Sequence, residues 1–174
     1  HRRNQPVFTK IDSLEGLKPL MSAQGFDWPS REILEVADLR VFAASYDTIM
    51  RMLALRRIDF FPRALPEIFF ERSRQAGRFP DVVVEQKLLL VYRSMRFFFV
   101  HKQDRALAQA LRDGFDVAYE EGAFQRLFNE HPVVKDLLMD SRLKHRRRIE
   151  IDNPYLTPET ASLPEHYLYD PGRP

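Results

Sequence analysis

The chain has 174 residues, the length of one large domain or of two small lobes at ~150 residues per domain. Hydrophobic residues make up 44% and charged residues 30%, which excludes the low-hydrophobicity, high-charge composition of a disordered chain and predicts a buried core. Lys and Arg total 27 against 25 Asp and Glu, and a formal charge of +2 gives no general pull toward polyanions despite a sequence pI near 9.0.

The basic residues are 21 Arg and 6 Lys spread along the whole chain, a compositional habit rather than a docking patch. The absence of cysteine excludes disulfides, thiolate nucleophiles, Cys-ligated zinc and iron–sulfur clusters, and leaves the compartment open. No run approaches the ~20 apolar residues of a membrane helix, so the chain is not expected to span a membrane. The opening His1-Arg2-Arg3-Asn4-Gln5-Pro6 lacks the apolar core of a signal peptide, so any export signal is expected outside this chain.

Six glycines punctuate the chain. Leu17 to Ala23 reads as a short strand stopped at Gln24-Gly25, and Asp27-Trp28-Pro29-Ser30 as a helix start, with Asp27 as the cap and Pro29 in the first turn. Arg40 to Ala44 is a second strand, after which Ser45 caps a helix carrying Ile49, Met52 and Leu53 at helical spacing. Ile58-Asp59-Phe60-Phe61 is a third strand halted by Pro62, and Pro66 opens a helix that runs to about Ala76 and stops at Gly77. Strands alternating with helices predict an α/β fold with a mainly parallel sheet flanked by helices.

From Val82 the pattern changes. Val82-Val83-Val84 through Tyr92, and then Phe97-Phe98-Phe99-Val100, read as strands separated by a polar break at Arg93-Ser94. Asp104 caps the next helix, whose Leu107, Leu111, Phe115 and Ala118 form one stripe ending near Gly122, and a short helix with Phe124, Leu127 and Phe128 follows. Beyond His131 the signal weakens through the Lys144–Arg148 basic cluster to a strand at Ile149-Glu150-Ile151. Five of the 12 prolines lie in the last 21 residues, which predicts an extended tail.

Little in this pattern points to catalysis. The five histidines, at 1, 101, 131, 145 and 166, are never within helical spacing of one another, so no metal site is expected. GxSxG, GxxxxGK[ST] and GxGxxG are all missing. The Lys144–Arg148 cluster has Tyr155 and Tyr167 downstream but no recognition helix or aromatic platform beside it, so it reads as a solvated face rather than a nucleic-acid site. The Phe97–Phe99 run reads as core.

The informative segment is Gln24-Gly25-Phe26-Asp27. A turn from a strand's carboxyl end into a helix presents backbone N–H groups to an anionic or polar ligand, and open α/β sheets bind ligands at that end. Arg63, in the loop after the third strand, meets the same criterion and offers a guanidinium.

In order, Gln24-Gly25-Phe26-Asp27-Trp28-Pro29, Ser45-Tyr46, Arg57-Ile58-Asp59-Phe60-Phe61-Pro62-Arg63, the strand from Tyr92 to Lys102, Glu121-Gly122-Ala123-Phe124 and Asp152-Asn153-Pro154 resemble bacterial extracellular solute-binding proteins of family 3. The likeness spans about Leu14 to Pro158. It implies a type 2 periplasmic-binding-protein fold: two α/β lobes closing on a small polar solute, such as an amino acid or organic anion, in the periplasm or outside the cell. The implied partner is an ABC-transporter permease or a membrane sensor.

On that plan residues 1–95 contain the second lobe, and residues 96–174 return to a first lobe whose N-terminal part has no counterpart here. The family's ligand-contacting turn maps onto Gln24, Gly25, Phe26 and Asp27. Arg63 stands where the family commonly has an acid, which favours an anionic or polyhydroxylated solute over an α-amino acid. Trp28 is placed behind the turn as a packing residue. No cofactor and no catalysis are implied. The rival readings are a sensory ligand-binding domain, or a lyase or dehydratase on the same fold with Asp27 as its acid–base group.

Overall fold

The computed structural model describes residues 1–169, the side chain of Asp140 excepted, so the end of the proline-rich tail lies outside the described residues. The chain is a mixed α/β protein that divides into two compact units. The first comprises residues 1–93 and 140–155. The second comprises 94–139 and the described residues from 156 onward.

The first unit opens with two single turns, α1 (Gln5–Phe8) and α2 (Leu14–Leu17), followed by strand β1 (Met21–Gln24). Helix α3 (Pro29–Val36), strand β2 (Arg40–Ala43) and helix α4 (Tyr46–Ala54) complete a βαβα unit. β1 and β2 pair in parallel, Met21 opposite Arg40 through Gln24 opposite Ala43. Alternation along β1 decides which helix covers which face. Ala23 packs with Ile49, Met50, Leu53 and Ile58 on the α4 side. Gln24 points the other way and meets Ser30 of α3, while Ile33 and Leu34 of α3 join Phe8, Ile11, Leu17 and Leu39 in a separate core. Each such side chain taken wholly out of water is worth about 1.5–3 kcal/mol.

The third strand expected at Ile58–Phe61 is reduced to one parallel bridge between Phe60 and Ser22. Asp59 explains why. Its carboxylate accepts from the Met21 amide at 2.8 Å while its own amide donates to the Met21 carbonyl at 2.8 Å, so a side chain takes the donor that a longer ladder would use. Helix α5 (Leu65–Gln75) then begins with Pro66 in its first turn.

Strand β3 (Leu88–Val91) pairs in parallel with β4 (Arg147–Glu150), Leu88 opposite Arg147. Between them in sequence come α6 (Arg105–Glu120), α7 (Ala123–Glu130) and α8 (Pro132–Ser141). Helix α9 (Pro158–Ala161) follows β4. The described part of the tail is therefore partly helical, with a further 3-10 turn at Glu165–Tyr167, rather than extended throughout.

Other local expectations are corrected. Val82–Val84 and Phe97–Val100 form no strand, and Leu14–Leu17 is helical before β1 begins. Asp27 does not cap α3, whose N-cap is Trp28 without a side-chain cap bond, and the Ser45 hydroxyl bonds the Thr48 hydroxyl at 2.9 Å instead of capping α4. Asp104 does cap α6, accepting from the Leu107 amide at 3.0 Å. The α6–α7 corner is set by Gly122 at φ 68°, left-handed backbone that glycine adopts without cost.

In the second unit the rings of Phe98, Phe115, Phe124 and Phe128 run in a chain of contacts at 5.4 to 6.4 Å, and Tyr119 joins Phe124 at 4.5 Å. Among the described residues, every fully buried side chain belongs to the first unit. Phe98 and Phe99, expected in a core, are 72% and 91% exposed.

The basic cluster is solvated only in part: Lys144, His145 and Arg147 are exposed, while Arg146 and Arg148 are half-buried. Arg146 donates to the carbonyls of Ser141 at 2.6 Å, Glu85 at 2.5 Å and Leu88 at 3.0 Å, Arg147 donates to the Ile11 carbonyl, and Arg148 pairs with Glu150 at 3.2 Å. Three guanidiniums are committed to the chain's own oxygens.

Candidate functional site

The site is built at the carboxyl ends of β1 and β2, entirely within the first unit. Gln24 ends β1 fully buried. Its carboxamide is satisfied at both ends, accepting from the Ser30 hydroxyl at 3.2 Å and donating to the Pro62 carbonyl at 3.1 Å. Its backbone carbonyl accepts the Ala44 amide at 3.1 Å. One side chain thus ties the turn after β1 to the start of α3 and to the loop before α5.

Gly25 is next and also buried. A β-carbon there would lie 2.6 Å from two ring carbons of Trp28, so glycine is required by space, because the indole lies flat on the backbone. The Trp28 amide closes the turn on the Gly25 carbonyl at 3.3 Å. Phe26 and Asp27 occupy the tip, and Phe26 is 64% exposed. The four residues expected to act together therefore split into two packed inside and two facing solvent.

Arg63 reaches the same place. Its guanidinium lies 4.4 Å above the Trp28 ring and 5.2 Å from that of Phe61, and these two rings stack with centroids 6.0 Å apart. Tyr46, at the start of α4, adds a tilted contact to Phe61 at 6.0 Å. Gly25 and Arg63 are thereby linked through one indole.

The expectation that Arg63 offers free positive charge needs correction. It makes a bidentate pair with Glu71 at 2.8 and 2.5 Å and a further contact to Glu67 at 2.7 Å. Burial opposes its charge, but Glu71 and Glu67 outweigh that penalty and hold it above the ordinary guanidinium pKa. Burial, with the charge of Glu71 added, pushes the Tyr46 phenol up, and burial does the same for Tyr92, where Glu67 adds to the effect and Arg63 opposes it.

Sequence reasoning placed Trp28 behind the turn, where its indole packs on Gly25, but missed its contact with Arg63 and missed Glu67 and Glu71 as the partners of Arg63. A signal existed. Residues 63, 67 and 71 are spaced by four, which puts all three on one face if the helical repeat is carried back one turn before Leu65.

A shallow, open depression of about 450 Å³ lies elsewhere in this unit, lined by Pro6, Val7, Lys10, Ile11, Asp12 and Gly16. Among the described residues no group of three or more His, Cys, Asp or Glu side chains is placed to hold a metal, and no helix is long and apolar enough to cross a membrane. No family model, curated protein or solved structure matches the chain.

Proposed function

We propose that this chain carries one wall of a receptor for a small polar solute, of the extracellular solute-binding type with a type 2 periplasmic-binding-protein fold, and that it performs no bond chemistry. The observation that carries the proposal is the meeting, at the carboxyl end of β1, of the turn after that strand with a loop 38 residues on, joined by the Gln24–Pro62 hydrogen bond and by Arg63 on Trp28. Open parallel sheets hold ligands at that position, because strand-to-helix turns converge there and leave helix N-termini facing outward.

Phe26 and Asp27 at the exposed tip are the residues of the turn free to touch a solute, while Gln24 and Gly25 hold the turn in shape. Glu67 and Glu71 already take the charge of Arg63, so its guanidinium supplies a polar edge backed by aromatic rings. An organic anion is accordingly no longer favoured over an amino acid. The receptor would act by population shift toward a closed form that a membrane permease or sensor reads, in the periplasm or outside the cell.

The test is thermal unfolding of the full-length natural polypeptide against amino acids, organic acids, sugars and polyamines. A specific ligand at about 100 times its Kd adds about 2.7 kcal/mol to the folded state, a readily measured rise in Tm. Asp27→Ala should reduce that rise without altering the unliganded melt. If no class stabilises the protein, the proposal fails.

A further inference from the structure

We infer that Asn153 is a positioning residue that clamps together the segments carrying β3 and β4 at the point where both leave the first unit. The chain passes from the first unit to the second after Arg93 and again after Tyr155, at the ends of the segments that carry β3 and β4. The parallel ladder between those segments keeps one offset. The Arg147 amide donates to the Lys87 carbonyl at 2.6 Å, and the Ile151 amide to the Val91 carbonyl at 3.0 Å.

The next rung at that offset joins residues 93 and 153, 60 apart in sequence. There the side chain takes over. The Asn153 carboxamide Nδ2 donates to the Arg93 carbonyl at 2.9 Å. Its Oδ1 accepts the Tyr155 amide at 3.0 Å, closing a local turn across Pro154. Pro154 fixes the backbone directly after Asn153 and has no N–H of its own to donate.

The sequence Asp152-Asn153-Pro154 thus solves one geometric problem. A backbone rung would require the chain to continue straight, whereas a side-chain rung secures the last carbonyl of the neighbouring segment while the backbone turns away. The amide end of the side chain ties the two segments, and the oxygen end shapes only the local turn. The inference is independent of whether the chain binds a solute.

Those two functions separate in Asn153→Asp. The aspartate keeps an acceptor for the Tyr155 amide but has no donor for the Arg93 carbonyl. Native-state amide hydrogen exchange on the protein and on its Asn153→Ala and Asn153→Asp variants tests the clamp, with thermal unfolding measured in parallel. Both variants should speed exchange of the Ile151 amide roughly fivefold, the equivalent of one neutral hydrogen bond, while amides of β1 and β2 exchange as in the parent. Exchange in Asn153→Asp that matches the parent would assign the residue to the Pro154 turn alone. Equal acceleration in β1 would show a general loss of stability. Either result overturns the inference, as does unchanged exchange in both variants.

Discussion

The pyrrole ring of the Trp28 indole rests against the backbone of Gly25, where a β-carbon would come within 2.6 Å of the ring. The glycine is not in left-handed backbone, so the constraint is the neighbour and not the conformation. Gly25→Ala is therefore expected to cost about 1–3 kcal/mol through overpacking. In a Trp28→Ala background the same change should be close to neutral. Urea unfolding of the four proteins of this double-mutant cycle measures the coupling, and equal costs in both backgrounds would show that the ring is not the cause.

Arg63, 14% exposed at its side chain, divides its charge unequally between Glu71 at 22% and Glu67 at 38%. Glu71→Gln, which removes one charge of the bidentate pair, is expected to destabilise by about 1–3 kcal/mol, and Glu67→Gln by less than 1 kcal/mol because water screens the more exposed partner. The double variant releases the guanidinium. It should gain stabilisation by sulfate that the parent lacks, read as a Tm shift at constant ionic strength.

Arg146 holds three carbonyls, of Ser141, Glu85 and Leu88, with its side chain 9% exposed. Burial lowers its pKa from the ordinary guanidinium value, with Glu85 opposing. Arg146→Met leaves those acceptors without their charged donor and is expected to cost about 3 kcal/mol or more. Arg146→Lys keeps the charge but not the fork, and should recover only part of the loss. Chemical denaturation checks both, and hydrogen exchange should show the β3–β4 ladder weakened before β1–β2.

Burial raises the Tyr92 phenol above its ordinary pKa, so the neutral form is favoured in the folded state. The unfolded chain ionises first, near pH 10. Stability from this group is thus complete below about pH 10 and is lost as pH rises through the folded value. Tyr92→Phe should flatten the alkaline fall in stability above about pH 10 while leaving stability at pH 7 nearly unchanged, as denaturant midpoints on either side of that pH will show.

Much of the first unit was legible because its signals are local. Pro29 and Pro66 mark helix starts, and the short apolar runs at β1 and β2 are bounded by turn residues, just as Asp104 places its own cap in the second unit. The meeting of the Gln24 turn with the Arg63 loop was foreseeable from the expected third strand, although in the structure that strand is only the single bridge of Phe60 to Ser22. The errors arose where β-propensity had no partner to act on. Val82–Val84 and Phe97–Val100 have the composition of strands, but a strand exists only as a paired ladder, and composition cannot supply the second chain. Helix α8 escaped notice although its Val133, Val134, Leu137 and Leu138 recur at i, i+1, i+4 and i+5 along one face.

By itself the sequence determined the alternation of strand and helix, the parallel sense of the first pair and the two turns that face outward at its end, since these depend on contacts between near neighbours along the chain. Only the tertiary structure decided what the charged side chains do. Arg63 is spent on Glu67 and Glu71, Arg146 on three carbonyls, and Asn153 on a carbonyl 60 residues away. A guanidinium or carboxamide reads the same in sequence whether it awaits a ligand or closes a ladder, and the difference lies in which oxygen folding brings within 3 Å of it.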